Sequence, residues 1–168
     1  MRSVAVGGTY YRVADPRWDD PLDAGHAAVS GQRWNPTGIV CLYLNDDVAT
    51  ARSNIAHRYA GLPYGPEDLE PAEAPVLIVV EVPAGQALDA VSDQGLTEIG
   101  LPNTYPLDSR GEVVAHSVCQ PIGAAARDAG LDGVASRSAA AGGGRELAWF
   151  PRSEPAVATE RLSFDAWW

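Results

Sequence analysis

Basic residues are scarce in this sequence. Among its 168 residues, 12 are lysine or arginine and 22 are aspartate or glutamate, so the formal net charge is −10. A protein that binds nucleic acid needs a basic surface to neutralise the phosphates. The composition therefore argues against a nucleic-acid partner. It leaves room for a basic protein partner and for local positive pockets.

Cysteine is also rare, since Cys41 and Cys119 are the only two. This number provides neither a disulfide framework nor the ligand spacing of a metal site. We expect a protein of a reducing compartment in which each cysteine packs as a small apolar residue. No metal is predicted.

Long apolar runs are missing as well. Residues 1–8 contain too short an apolar run for a signal peptide. No run in the sequence has the length that a membrane span requires. We therefore expect a cytoplasmic protein with no membrane partner.

The residues that are present suffice for one globular domain. The composition is 46% hydrophobic and 20% charged, and a chain of this length buries a single core. The unbroken apolar run at 76–82 is the strongest strand pattern and indicates a central position in a sheet. Strands are predicted at 9–13, 39–44, 76–82, 88–91, 133–135 and 146–150.

Short helices are predicted between these strands. The first follows a cap at Asn45 or Asp46, and its apolar face consists of Val48, Ala51, Ile55 and Tyr59. Two more are predicted at 92–100 and 119–130, each ended by a glycine. The fold class is therefore mixed α/β, a single compact domain with a central sheet and short flanking helices. We place its core at about 9–151 and a C-terminal tail at 152–168.

The remaining segments read as loops. Proline and glycine mark surface loops at 15–31 and 101–112, a connector or lid-like loop at 61–75, and a flexible small-residue loop at 139–144. The tail contains Phe164, Trp167 and Trp168. Because exposed aromatics are unfavourable, we expect it to pack on the domain or to form an interface, which leaves a homo-oligomer open.

The stretch 31–54 is the centre of the functional argument. It begins with a glycine-flanked turn, Gly-Gln-Arg-Trp-Asn-Pro-Thr-Gly at 31–38, and runs through a strand into a helix. Arg33 on such a turn is suited to a phosphate, because the guanidinium is a rigid fork of donors. The competing interpretation is a surface salt bridge for Arg33 and core packing for Trp34. On the helix, Asn54, His57 and Arg58 share a polar face at spacings of three and four.

Three blocks of this sequence resemble the RES-domain family, the toxin components of bacterial toxin–antitoxin pairs. The most specific is 31–38 with its Leu-Tyr-Leu strand at 42–44, and the weaker two are Tyr-Arg-Val at 11–13 and Ser-Val-Cys-Gln-Pro-Ile-Gly at 117–123. The resemblance covers about residues 10–150. It implies an ADP-ribosyltransferase-like fold, NAD as the substrate, and an antitoxin partner of the Xre helix-turn-helix type.

The resemblance also implies roles for individual residues. Arg33 and Arg12 would hold the phosphates of NAD, and Tyr43 would line the pocket and stack on a flat ring. Ser117, just before the predicted helix at 119–130, would bind a phosphate or ribose oxygen, although ordinary helix capping explains it equally simply. Ser138 is the second serine candidate and ranks below Ser117.

Asn54 departs from the family pattern. The family places a glutamate eleven residues after the tyrosine, and counting from Tyr43 reaches Asn54. That glutamate is expected to grip a ribose hydroxyl and stabilise the developing cation, whereas an amide brings no charge. The leading hypothesis is thus an NAD-cleaving toxin whose site comprises Arg33, Tyr43, Asn54 and Ser117. The alternatives are a nucleotide-binding module with weak or altered catalysis and a biosynthetic enzyme that acts on another nucleotide.

Overall fold

A computed structural model of the protein describes residues 1–140, 142–152 and 154–168. Within these residues six strands are present: β1 Ser3–Ala14, β2 Leu42–Asn45, β3 Val76–Ala90, β4 Gly133–Arg137, β5 Arg145–Trp149 and β6 Val157–Leu162. Five α-helices are present in the described residues: α1 Gly25–Ser30, α2 Val48–Tyr59, α3 Asp93–Glu98, α4 His116–Asp128 and α5 Phe164–Trp167. A 3₁₀ turn covers Pro66–Asp68 within the predicted connector. The mixed α/β class predicted from the sequence is confirmed.

The sheet closes on itself as a barrel. Its strand order is β1-β2-β5-β4-β3, and β3 returns to pair with β1, while β6 adds to the other side of β3. All of these pairs are antiparallel except β3 with β4. Closure removes the two free edges that an open sheet of these strands would expose.

The two longest strands, β1 and β3, form the main pairing. They run together from Ser3 opposite Leu88 to Ala14 opposite Val76, with one register shift between Val6 and Gly8. Gly7 sits at that shift with φ +135°, and a Cβ there would lie 2.8 Å from the Ala84 Cα. Only glycine combines this backbone conformation with such a close approach.

The apolar side chains divide into three buried groups. Alternate residues of the strands, among them Leu44, Val80 and Leu147, form one cluster inside the barrel. The outer surface has two others, one under α3 and α4 and one under α2 and α5. Cys41 and Cys119 are free and buried, as predicted for small apolar packing.

Several predicted bounds are corrected by the structure. The strands predicted at 76–82 and 88–91 are one strand, because pairing with β1 keeps the chain extended across Pro83. The predicted loop at 15–31 contains α1, and the strand predicted from 39 begins at Leu42. Neither Asn45 nor Asp46 caps α2; the Asp47 carboxylate accepts the Thr50 N–H at 2.6 Å. The predicted loop at 139–144 includes Ala141, which lies outside the described residues.

The tail is part of the domain. Strand β6 pairs with the first half of β3, and Trp167 is buried against Leu77 and Ile55. The Trp167 ring N–H donates to the Pro75 carbonyl at 3.1 Å. The tail aromatics therefore pack on the domain, which is one of the two outcomes expected from the sequence. No helix among residues 1–140, 142–152 and 154–168 is long and apolar enough to cross a membrane.

Helix α4 approaches the 31–38 turn without any intervening side chain. Gly123 on α4 is buried, and a Cβ at this position would overlap the Trp34 carbonyl oxygen. We predict that Gly123→Ala lowers the free energy of unfolding by about 2 kcal/mol, because overpacking outweighs the gain in helix propensity. Urea denaturation measures the change. Ala125→Gly at an exposed position of α4 gives the intrinsic helix cost, about 1 kcal/mol. A Gly123→Ala variant as stable as the wild type would show that α4 does not press on this turn.

Candidate functional site

A cleft opens beside the weakest pairing of the barrel. Strands β1 and β2 are paired at one register position, Tyr11 opposite Asn45. The cleft has a volume of about 600 Å³ and is bounded by β1, β2, α1, α2 and the start of β5. Its polar lining residues are Arg12, His26, Gln32, Tyr43, Asn45, Asn54, His57, Arg58 and Glu146.

Arg12 forms the basic wall of this cleft. Its guanidinium lies 5.8 Å from the Trp18 ring centroid, and one terminal nitrogen donates to the Asp23 carbonyl at 3.3 Å. The Nε atom is buried and has no hydrogen-bond partner, and Arg12 makes no salt bridge among the described residues. Burial lowers the pKa of Arg12, while the nearby Asp23 opposes that effect. A desolvated cation with spare donors is a site for an anion.

Tyr43 forms part of the floor, and its hydroxyl is already occupied. The hydroxyl accepts the Trp34 backbone N–H and donates to the Asn35 side-chain oxygen, both at 2.8 Å. Burial raises the pKa of Tyr43 far above its ordinary value, so the phenol stays protonated. Its ring, rather than its hydroxyl, is left for a ligand.

The 31–38 turn is held together by hydrogen bonds within the protein. The Asn35 amide nitrogen donates to the carbonyls of Ala27 and Ile39 at 2.8 Å each. Trp34 is buried, and its ring N–H donates to Ser136 Oγ at 3.1 Å. The core-packing interpretation of Trp34 is therefore the one that the structure supports.

Arg33 lies outside the cleft. Its guanidinium donates to the Val114 carbonyl at 2.7 Å, just before α4. There it lies beside His116, whose pKa is lowered by burial and then by Arg33. The structure does not bring Arg33 together with Arg12, because Arg33 is bonded to the Val114 carbonyl and it is the neighbouring Gln32 that lines the cleft.

Asn54 lies at the centre of a network that joins α2 to two strands. Its amide nitrogen donates to Asn45 Oδ1 and to Glu146 Oε1, both at 2.7 Å. Asn45 and Glu146 face each other across β2 and β5, and the Asn45 amide donates to the Tyr11 carbonyl at 3.0 Å. Each donor has one defined acceptor, so the network fixes the orientation of both amides.

The two candidate serines lie in different surroundings. Ser138 is buried, and its hydroxyl donates to Glu146 Oε1 at 2.7 Å beside Asn54. Ser117 is exposed and does not line the cleft. The prediction that Ser117 precedes its helix is wrong, since α4 begins at His116, three residues earlier than Cys119. The burial of Val114 and Cys119 in one cluster brings the chain into helix before Pro121 is reached.

Neither cysteine is a nucleophile in this arrangement. Cys41 lines the cleft, but burial raises its pKa to about 12, so its thiol is protonated at neutral pH. Burial also raises the pKa of Cys119, which packs beneath α4. Among the described residues, no group of three or more His, Cys, Asp or Glu side chains is placed to hold a metal ion.

Sequence reasoning missed Glu146. It was assigned only to the closing strand, yet it is the one carboxylate among the described residues that line this cleft. An available signal was its alternation with Leu147, which places an acid on the outer face at the start of a buried strand. What the sequence lacked was the register that sets Glu146 opposite Asn45.

Comparison with known proteins identifies the family. The family model described as RES domain matches residues 9–168. The chain belongs to the RES-domain family. No curated protein matches the sequence.

A solved structure shares the RES-domain architecture of this chain. It is the crystal structure of the M. tuberculosis MbcT-MbcA toxin-antitoxin complex, with a TM-score of 0.76 and 21% sequence identity. The likeness covers 96% of this chain and 86% of that one. At this identity the comparison shows a common fold, so the chemistry of the RES domain described here depends on its own residues.

Removal of the Tyr43 hydroxyl tests whether this group stabilises the fold, because the ring that a ligand would contact is retained. In Tyr43→Phe the Trp34 N–H and the Asn35 side-chain oxygen both lose their partner. We expect the free energy of unfolding to fall by about 1–3 kcal/mol while the ring surface is retained. Urea denaturation measures this, with Tyr64→Phe at an exposed tyrosine as the matched control. Equal stability of the two variants would show that the hydroxyl does not hold the turn.

Proposed function

We propose that this protein is an NAD-consuming toxin that breaks the bond between nicotinamide and ribose. The observation that carries the proposal is the cleft, in which a half-buried arginine that makes no salt bridge among the described residues faces an aromatic floor and a network of polar groups. A cleft of about 600 Å³ is of the size that holds cofactors and nucleotides. NAD offers matching groups, namely a pyrophosphate, two riboses and a flat cationic ring.

Each end of such a ligand has a complementary wall. Arg12, with Arg58 from α2, provides donors for the pyrophosphate. The Tyr43 ring provides a surface on which the nicotinamide stacks, and a cationic ring over an aromatic face gains about 1 kcal/mol. The phosphate role that the sequence suggested for Arg33 passes to Arg12 in this proposal.

The reaction is a heterolysis followed by capture. The bond from the ribose C1′ to the nicotinamide nitrogen breaks, its electron pair stays on the nitrogen, and the ring becomes neutral. Positive charge moves to the ribose as an oxocarbenium-like state, which the site must stabilise. Water, phosphate or a protein side chain then bonds to C1′ and releases its proton to solvent. The ADP-ribosyltransferase-like character implied by the family suits all three acceptors.

An antitoxin completes the proposal. The similar solved structure is named as a toxin–antitoxin complex, and we infer that a helix-turn-helix-type antitoxin covers this cleft in the cytoplasm. The net charge of −10 favours a partner with basic residues at the contact rim. Charge at a rim chiefly sets the rate and specificity of association.

The alternative is a nucleotide-binding module without turnover. Asn54 in place of the glutamate of the family is the observation that favours it. Incubation of the purified protein with NAD, with and without phosphate, separates the two functions. We expect nicotinamide release, and we expect expression in cells to deplete NAD and slow growth. Tight binding of ADP-ribose without any release would support the binding module instead.

The role of Arg12 gives a separate prediction. Arg12→Ala removes a charge-assisted contact and should weaken ADP-ribose binding by about 2 kcal/mol, measured by calorimetry. Arg110→Ala, at an exposed arginine paired with Asp108, is the control and should leave affinity unchanged. Arg33→Ala tests the interpretation drawn from the sequence. A loss confined to Arg33→Ala would return the phosphate to the 31–38 turn.

A further inference from the structure

The network around Asn54 contains a carboxylate that uses only one of its two oxygens within the described part of the protein. Glu146 Oε1 accepts from Asn54 Nδ2 and from Ser138 Oγ, both at 2.7 Å. Its other oxygen, Oε2, has no hydrogen-bond partner among the described residues, and Glu146 makes no salt bridge there. One oxygen is thus fixed by two donors and the other is left for a ligand in the cleft.

Three elements aim this carboxylate. Strand β5 supplies Glu146, α2 supplies the amide of Asn54, and the segment directly after β4 supplies the Ser138 hydroxyl. The Ser138 hydroxyl also accepts the Ala140 N–H at 3.2 Å, which leaves its proton for Glu146. Fixing a group in advance spares the reorganisation that a mobile side chain requires during reaction.

We propose that Glu146 is the catalytic carboxylate of this cleft. It accepts a hydrogen bond from a ribose hydroxyl and stabilises the positive charge that develops at C1′, at the point where a glutamate at position 54 would otherwise present its carboxylate. Asn54 is then a positioning residue that holds Glu146. The inference rests on the proposed function, since it assigns the charge-stabilising group for that reaction.

The assignment is consistent with the balance of the reaction. The C1′–nitrogen bond breaks with its electron pair on nicotinamide, water adds to C1′, and the water proton passes to solvent. Glu146 forms no covalent bond in this scheme. It contributes only when charge appears on the ribose, so it should act on kcat more than on binding.

A carboxylate at position 54 would disturb the hydrogen bonding that holds Glu146 in place. Asn54 Nδ2 lies 2.7 Å from Glu146 Oε1. A glutamate in its place would bring two negative charges together and remove the donor that aims Glu146. The site therefore accommodates one carboxylate, either at position 146 on β5 or at position 54 on α2, but not both.

Four variants test this: Glu146→Gln, Asn54→Glu, the double variant N54E/E146Q, and Glu160→Gln as a control at an exposed acid of β6. Glutamine keeps the shape of Glu146 and an oxygen that accepts from Ser138 and Asn54, so the fold should survive, as urea denaturation checks. We expect Glu146→Gln to lower the kcat of nicotinamide release by about a hundredfold with little change in KM. Glu160→Gln should match the wild type.

The exchange variants provide a second readout. Asn54→Glu alone should also lower kcat, whereas N54E/E146Q, which returns the carboxylate to α2, should exceed both single variants by about tenfold or more. A Glu146→Gln variant with a kcat near that of the wild type would overturn the role of Glu146 while leaving the proposed function standing. A double variant whose kcat is no higher than that of Glu146→Gln would also overturn the role of Glu146. A folded wild type that releases no nicotinamide would overturn the proposed function and the catalytic role together.

Discussion

Closure of the barrel through β1 is the constraint from which the site follows. Strand β1 pairs with two neighbouring strands, but over very different lengths. It is paired with β3 along nearly its whole length, but with β2 at the single position Tyr11 opposite Asn45. The barrel wall is therefore continuous between β1 and β3 but has a gap in strand pairing between β1 and β2. The cleft lies at that gap, because side chains there have no strand partner to pack against.

The unpaired stretch places polar groups where a sheet would normally bury apolar ones. Such groups are unfavourable unless their hydrogen bonds are completed. The Asn45–Asn54–Glu146–Ser138 network completes them at one end of the cleft. At the other end, Arg12 Nε remains without a partner. The polar groups of the network are thus already hydrogen-bonded, whereas Arg12 keeps a free donor to which a bound anion would bond.

Local patterns in the sequence predicted most of the core elements, although they missed α1 and β6, and they did not show how the elements meet. The helix that became α2, the apolar run within β3 and the polar face at Asn54 and His57 were found because periodicity is a local property. Glu146 was missed because its importance depends on cross-strand register, which no window of the sequence contains. The union of 76–82 with 88–91 was missed for the same reason, since only pairing with β1 carries the strand across Pro83.

Arginine and serine show a different limit of sequence reasoning. Chemical type made Arg33 and Ser117 good candidates, yet their sites are decided by which side of a turn or helix faces the cleft. Arg33 points to the Val114 carbonyl, and Ser117 lies on the exposed first turn of α4. Arg12, on β1, and Ser138, directly after β4, have the same side-chain types and are directed to the cleft or its network by the neighbouring strands. The site is thus specified by the sheet more than by the motif.

The acidity of the whole chain and the basic wall of its cleft act at different ranges. A net charge of −10 repels a dinucleotide, although salt largely screens this repulsion at separations beyond about 10 Å. Inside the cleft the screening weakens, and the desolvated Arg12 interacts strongly with any phosphate that reaches it. All twelve basic residues are arginines, which hold phosphate by paired donors rather than as a point charge. The long-range field therefore favours a basic protein at the rim, while the short-range field favours an anion inside. In the function that we propose, the two ligands would compete for one cleft without competing for the same charges.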